Sequence, residues 1–349
     1  MINHEILKNA RNNKKDEFFT SLSEIEKELE EHKDYKRHFE DKVVFCNCND
    51  ARPSNFYLFF KKHFIDWKIK KLIATKYSPN QKETCKIEIT KKGNSIDIQE
   101  KTIAGSGDFR DEECVSLLKE SDIIVTNPPF SLFRSLVDIL MKYNKKFILI
   151  GSTNAASYTD FFSWIQKGKI STGYGFNKSM IFEVGKNYKY DEKLTNKIND
   201  GKYYGKVPMI AWYTNLELDK KHIPLKLTKK YYGNEQDYYT YHNYPAINCD
   251  KTKDIPYDYD GIIGVPITFL GSYCPEQFEI VGMGYGELAK KIGMTTIGKE
   301  FLEKYFEQGN KGNYVANNVL CCYTDKNDKV HIPYARILIK KKQKNPHSI

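Results

Sequence analysis

The sequence predicts an α/β fold, a parallel sheet with helices running between its strands. Three observations carry this. Asp122 to Thr126 reads as a short β-branched apolar run, the mark of a strand covered on both faces. Leu132, Phe133, Leu136, Val137, Leu140 and Met141 then recur at helical spacing. Lys146–Ile150 is a second apolar strand. Strand, helix and strand in this order make a right-handed crossover, and ligands bind beyond the carboxyl ends of such strands.

Taken in order, residues 1–15 are polar and basic. A helix is expected from Ser23 to near Phe39, with Ser23 and Glu26 as a capping box and Ile25 and Leu29 on one face. Lys42–Cys46 is the first strand of the sheet, and a helix starting near Ser54 buries Phe56, Phe59, Phe60 and Phe64. Lys71–Thr75 is the second strand. The alternating segments Cys85–Ile89 and Ile96–Ile98, about Lys92-Gly93-Asn94, predict a hairpin inserted between core strands. Glu112, Val115 and Leu118 follow a helical pattern. Beyond the crossover, Tyr158–Gln166 reads as helix, and Met180–Val184 and Val207–Tyr213 as strands, with Pro208 suited to an edge or a strand start. Composition changes near Leu216, where tyrosines interleave with lysine and glycine: Lys229-Lys-Tyr-Tyr-Gly233, then Tyr238 to Tyr244. Such segments either pack on sugars and phosphates or fold on their own domain. Gly264–Leu270, Glu279–Gly282 and Val330–Ile339 read as extended. The organisation expected is a domain over residues 1–215 and a second region over 216–349.

The turn between strand and helix offers specific chemistry. Two prolines hold Asn127 and Pro128 extended, so the turn is rigid, and Ser131 can cap the helix that follows. An aromatic exocyclic amine is a poor nucleophile because its lone pair is delocalised into the ring. An acceptor for each amine N–H favours the pyramidal, more nucleophilic nitrogen. The Asn127 side-chain oxygen and the Pro128 carbonyl can serve, fixed in advance by the rings of Pro128 and Pro129. Phe130 offers a flat apolar face for an extruded base. The plainer reading is a proline turn that merely ends a strand.

Composition bounds the rest. The 349 residues hold 55 Lys and Arg against 45 acids, a formal charge of +10 that fits a polyanionic partner or a lysine-rich proteome. Eight cysteines include no C-x-x-C pair, and the histidines are scattered, so a zinc site is not expected. Cys46 and Cys114 read as reduced core thiols. The N-terminus lacks a signal-peptide apolar core and no apolar run is long enough for a membrane helix, which predicts a cytoplasmic protein.

N-P-P-F after an apolar strand resembles a motif of amino methyltransferases that use S-adenosylmethionine. The wider run D-I-I-V-T-N-P-P-F-S-L-F-R resembles the EcoRI-type adenine-specific DNA methyltransferases. The resemblance recurs at Asn13–Thr20, at C-N-C-N-D (Cys46–Asp50), at G-S-G-D-F-R (Gly105–Arg110), and at G-V-P-I-T-F-L and P-E-Q-F-E-I-V-G between Gly264 and Gly282.

This resemblance implies a Rossmann-like S-adenosylmethionine-dependent methyltransferase fold with a C-terminal target-recognition region. It implies methyl transfer to adenine N6 in double-stranded DNA, by direct displacement and without a metal, in a monomer that partners a restriction endonuclease. Asn127, Pro128, Pro129 and Phe130 would be catalytic. Phe18, Phe19 and Thr20 match the motif that approaches the methionine part of the cofactor, or form an aromatic staple. Asn47 and Asp50 would hold that moiety's ammonium or carboxylate, or cap the next helix. Asp108 would accept from the cofactor's adenine amine with Phe109 against the purine, or Asp108 would cap a helix. Lys76 and Tyr77 stand where a ribose-binding carboxylate usually closes the second strand. RNA adenine or protein glutamine methylation, and a catalytically silent DNA-binding protein, are the alternatives.

Overall fold

The computed structural model describes residues 19–48, 54–78, 84–184, 197–199 and 202–343, so Phe18 and Asp50 lie outside the described residues. The chain divides into two compact units, one of residues 1–155 and 170–218, the other of 156–169 and 219–349.

The first unit opens with β1 (Phe19–Thr20) and α1 (Leu22–Leu29). The N-cap of α1 is Ser21 rather than Ser23, and the helix stops at Leu29 rather than near Phe39. The reason is tertiary. Buried Tyr35 turns inward to donate to Glu28 (2.7 Å), while Asp34 accepts from Tyr174 (2.8 Å). Next come β2 (Val43–Cys48), α2 (Asn55–His63), β3 (Lys71–Lys76), β4 (Cys85–Lys92), β5 (Ser95–Thr102) and α3 (Glu112–Glu120). Ser54 caps α2, accepting from the Tyr57 N–H at 3.3 Å, and Phe56, Phe59, Phe60 and Phe64 are buried as expected. The crossover follows as β6 (Ile123–Thr126), α4 (Phe133–Lys142) and β7 (Lys146–Ser152). Leu132, not Ser131, holds the N-cap position of α4. After α5 (Thr159–Gln166), which belongs to the second unit, β8 (Ser171–Val184), β9 (Lys197–Asn199) and β10 (Lys202–Thr214) complete the sheet.

Among the described residues this sheet has ten strands in the order β1-β8-β10-β7-β6-β2-β3-β4-β5, with β9 on β10. The four central strands, β7, β6, β2 and β3, are mutually parallel. Their side chains are almost all buried, so the near-continuous apolar runs are what burial on two faces requires. From β2 the chain builds outward to β3 on one side and to β6 and β7 on the other. The switch point therefore falls between β2 and β6. The fold is Rossmann-like. The β4–β5 hairpin, inserted in the chain between core strands β3 and β6 as expected, extends the sheet at the β3 edge; Gly93 takes φ +61° in its turn. Pro208 lies inside β10, between β7 and β8, rather than at an edge or strand start. A β-bulge between Val207 and Ile210 absorbs its missing N–H.

The second unit contains α5, whose Gln166 donates to the carbonyls of Ile280 (3.0 Å) and Val281 (2.9 Å). Its other elements are β11 (Ala246–Asn248), β12 (Ile262–Pro266), β13 (Phe278–Met283), α6 (Gly286–Lys291), α7 (Lys299–Glu307), β14 (Tyr323–Thr324), β15 (Val330–His331) and β16 (Arg336–Lys341). Four of them form a sheet in the order β11-β12-β16-β13, and β14 pairs with β15. The strand expected over Gly264–Leu270 stops at Pro266, where a 3-10 turn begins. Arg336 is buried and compensated, donating to Asn248 Oδ1 (3.0 Å) and Asp250 Oδ1 (2.7 Å). Tyr241 is buried on the same Asn248 oxygen at 2.8 Å, and Tyr239 stacks on Tyr323 with centroids 5.2 Å apart. These two tyrosines are thus part of their own unit's core and edge, whereas Tyr232, Tyr257, Tyr285 and Tyr334 are exposed.

Candidate active site

The site is built on the two strands that flank the switch point, and both of their ends are fastened. At the amino ends, the Val43 N–H donates to the Asp122 carboxylate (2.8 Å) and the Asp122 N–H to the Val43 carbonyl (2.9 Å). At the carboxyl ends, the Thr126 hydroxyl donates to the Asn47 carbonyl at 2.5 Å. Val44, Ile123 and Val125 fill the space beneath with no more than 2% of their surface exposed, each contributing roughly 1.5–3 kcal/mol by burial. A rigid platform therefore ends at Thr126.

The turn Asn127–Phe130 leaves that platform directly. Pro128 and Pro129 are buried, while Asn127 and Phe130 are half-buried. The turn closes through its later carbonyls: Leu132 N–H donates to Pro129 (2.8 Å) and Phe133 N–H to Phe130 (3.4 Å). Phe130 packs against the sheet's apolar core. The ring of Phe133 lies over Gly151 of β7, where a Cβ would come within 2.6 Å of it. A glycine there lets α4 start close to the sheet.

A second loop meets the carboxyl end of β3. Gly105 and Gly107 both take positive φ, +85° and +81°. A Cβ on Gly107 would stand 2.6 Å from the Lys76 carbonyl, so only glycine brings the loop this close. Ser106 is held by the Asp111 carboxylate, which accepts from its N–H (2.6 Å) and hydroxyl (2.9 Å), and the Ser106 carbonyl accepts from Ser78 N–H at 2.8 Å. Asp111, not Asp108, is the N-cap residue of α3. Asp108 instead accepts from the Arg110 N–H (3.0 Å), Nε (2.8 Å) and Nη2 (2.5 Å), which raises the Arg110 pKa. Phe109 is buried beneath Arg110, whose guanidinium carbon lies 5.4 Å from the ring centre.

Asn47 joins the two loops. It is 4% exposed, and its amide donates to Thr75 Oγ1 (2.9 Å) and the Gly107 carbonyl (3.3 Å). Its side chain thereby positions the rim between β2, β3 and the glycine loop. Cys114 lies 4.0 Å from the same amide; burial first, then Asp111 and Asp108, push its thiol up to about 12, so it is no thiolate nucleophile at neutral pH. Thr20 reaches the rim through Asn55, the first residue of α2, whose amide donates to the Thr20 carbonyl at 2.7 Å. The Thr20 hydroxyl is buried and has no hydrogen-bond partner among the described residues. Phe19 is half-buried beside it on β1.

A family model described as "Adenine-specific methyltransferase EcoRI" matches residues 6–342. The chain belongs to the EcoRI family of adenine-specific methyltransferases. It is 42% identical over 305 residues to "Type II methyltransferase M.EcoRI" of Escherichia coli, covering 83% of this chain and 93% of that protein. It is 40% identical over 276 residues to "Type II methyltransferase M.MgeORF184P" of Mycoplasma genitalium, covering 78% and 84%. "Type II methyltransferase M.MpnI" of Mycoplasma pneumoniae is 39% identical over 283 residues, covering 78% and 83%. No solved structure matches the chain.

In this member of the EcoRI family, three positioning residues escaped the sequence reading. Thr126, at the end of an apolar strand, ties the start of the Asn127–Phe130 turn to β2. Asn55, next to the recognisable cap Ser54, carried no signal of its own. Arg110 stands inside G-S-G-D-F-R, where its pairing with Asp108 two residues earlier was open to inspection. Among the described residues no helix is long and apolar enough to cross a membrane.

Proposed function

We propose that this adenine-specific methyltransferase uses S-adenosylmethionine and acts on an adenine extruded from duplex DNA at one short sequence. The observation that carries the reading is the fastened switch point: a rigid platform ending in Thr126, with Asn-Pro-Pro-Phe at its carboxyl end, in a chain of this family. The donor set on the rim fits the cofactor. The Thr20 hydroxyl has no hydrogen-bond partner among the described residues, and Asp108 is carried by a loop that two left-handed glycines press against β3. Thr20, with Phe18 and Phe19, and Asp50 would hold the methionine end. Asp108 would accept from the purine amine, with Phe109 fixing its loop and Asn47 the rim. S-adenosylmethionine supplies an electrophilic methyl group on a sulfonium. Asn127 Oδ1 and the Pro128 carbonyl accept the two N–H bonds of adenine N6, drawing its lone pair out of the ring and aiming it. Phe130 replaces part of the stacking that the base loses on leaving the helix. No residue need become covalently attached, which agrees with the protonated Cys114 thiol.

The unit of residues 156–169 and 219–349 serves target recognition, through its exposed tyrosines and lysines. The protein would act as a monomer, with a restriction endonuclease as its functional companion. The test is to express it in cells lacking adenine methylation and analyse their DNA, RNA and protein by mass spectrometry and sequencing. The expected product is N6-methyladenine at one short DNA sequence. N4-methylcytosine, or methylation confined to RNA or glutamine, would overturn the reading.

A further inference from the structure

Strand β10 carries an unusual residue toward the sheet end at which the Asn127–Phe130 turn begins. Met209 has φ +57° and is 42% exposed. The other non-glycine residues with positive φ among those described are Asp41, Lys68, Asn144, Asn177, Asn317 and Asp328. Asn and Asp tolerate this conformation and lysine is polar; Met209 alone is apolar. It also lies in a bulge, since Val207 faces Met180 and Ile210 faces Lys178 on β8, which sets Pro208 and Met209 together against Ser179. Directly beside it a second, opposite bulge makes Asn177 the extra residue of β8, at φ +52°.

The site of this double bulge is informative. Ile210 pairs with Ser152, the last residue of β7, and Leu149 of β7 pairs with Thr126. The bulge therefore lies toward the same end of the sheet as the Asn127–Phe130 turn. Phe133, which follows that turn, covers Gly151, and its ring lies 5.6 Å from Tyr213 of β10. Around Met209 the exposed residues are Lys206, Asn177, Lys178 and Ser179. Accommodating Pro208 explains a bulge, but glycine or asparagine would serve that purpose with less strain. Bulges beside active sites re-aim side chains, and apolar wedges flanked by cations are how proteins enter a base stack.

We propose that Met209 is the wedge that enters the DNA stack as the target adenine leaves it, with Lys178 and Lys206 on the flanking phosphates. This rests on the extrusion reading above. Met209→Gly removes the side chain and suits the left-handed backbone, so it spares the fold; Met209→Leu keeps an apolar wedge. Both are compared with wild type in single-turnover methylation of two synthetic duplexes bearing the mapped site. One is fully paired, and the other sets the target adenine opposite an abasic position, where no pairing need be broken. The Gly variant should be slower by about tenfold or more on the paired duplex and within about twofold of wild type on the other, with the Leu variant near wild type on both. Equal slowing on both duplexes, or none on the paired one, would overturn the wedge. A wild type slower on the unpaired duplex than on the paired one would instead overturn the extrusion reading and the wedge with it.

Discussion

Asp108 has two partners in prospect, and substitution separates them. In the structure it accepts three hydrogen bonds from Arg110. In the proposed complex it accepts from the cofactor's adenine amine. Asp108→Ala should therefore weaken S-adenosylmethionine binding by about 1.5–3 kcal/mol, with DNA affinity little changed. Arg110→Ala should change cofactor affinity by no more than about twofold, because a half-exposed pair two residues apart contributes little. Calorimetry decides. If both variants lose cofactor equally, Asp108 serves only to hold Arg110. At this scale the sequence was informative where a residue type has one purpose, as with Gly107 against Lys76 or the two prolines after Asn127. It was silent on Asn55 and Met209, whose placement depends on strands distant in the chain.

Among the elements, α2 links core to site. Its N-cap Ser54 accepts from Tyr57 N–H, its phenylalanines fill the core, and its Asn55 holds Thr20. Ser54→Ala should cost about 1 kcal/mol of stability in a urea titration, with catalysis retained. An unchanged midpoint would show that tertiary packing alone sets the helix start. The parallel strands were legible because burial on both faces forces β-branched runs. By contrast, β8 was legible only over Met180–Val184, though it starts at Ser171. Gly173 and Gly175 erase the strand signal, and they are needed because Trp212 and the Glu28 carboxylate occupy the space a Cβ would take. Glu28 accepts there from the N–H groups of Tyr174 (2.6 Å) and Gly175 (2.7 Å), a bond set no local periodicity announces. Pro208 misled for a related reason, since a bulge admits it to an interior strand.

For the whole molecule, the charge of +10 has a measurable consequence. DNA affinity should fall steeply with salt, each neutralised phosphate adding roughly 0.9 to the log–log slope. A slope near zero would mean that lysines such as Lys178 and Lys206 do not meet the backbone. The central claim is that Asn127, fixed by the fastened switch point, activates adenine N6. Its most direct test is a single-turnover assay on duplex DNA bearing the mapped site, with N6-methyladenine quantified for wild type and Asn127→Ala and both ligand affinities measured alongside. The variant should bind cofactor and DNA nearly as wild type does, yet form N6-methyladenine on the order of 100- to 1000-fold more slowly. A variant that methylates within a few-fold of wild type would contradict the account.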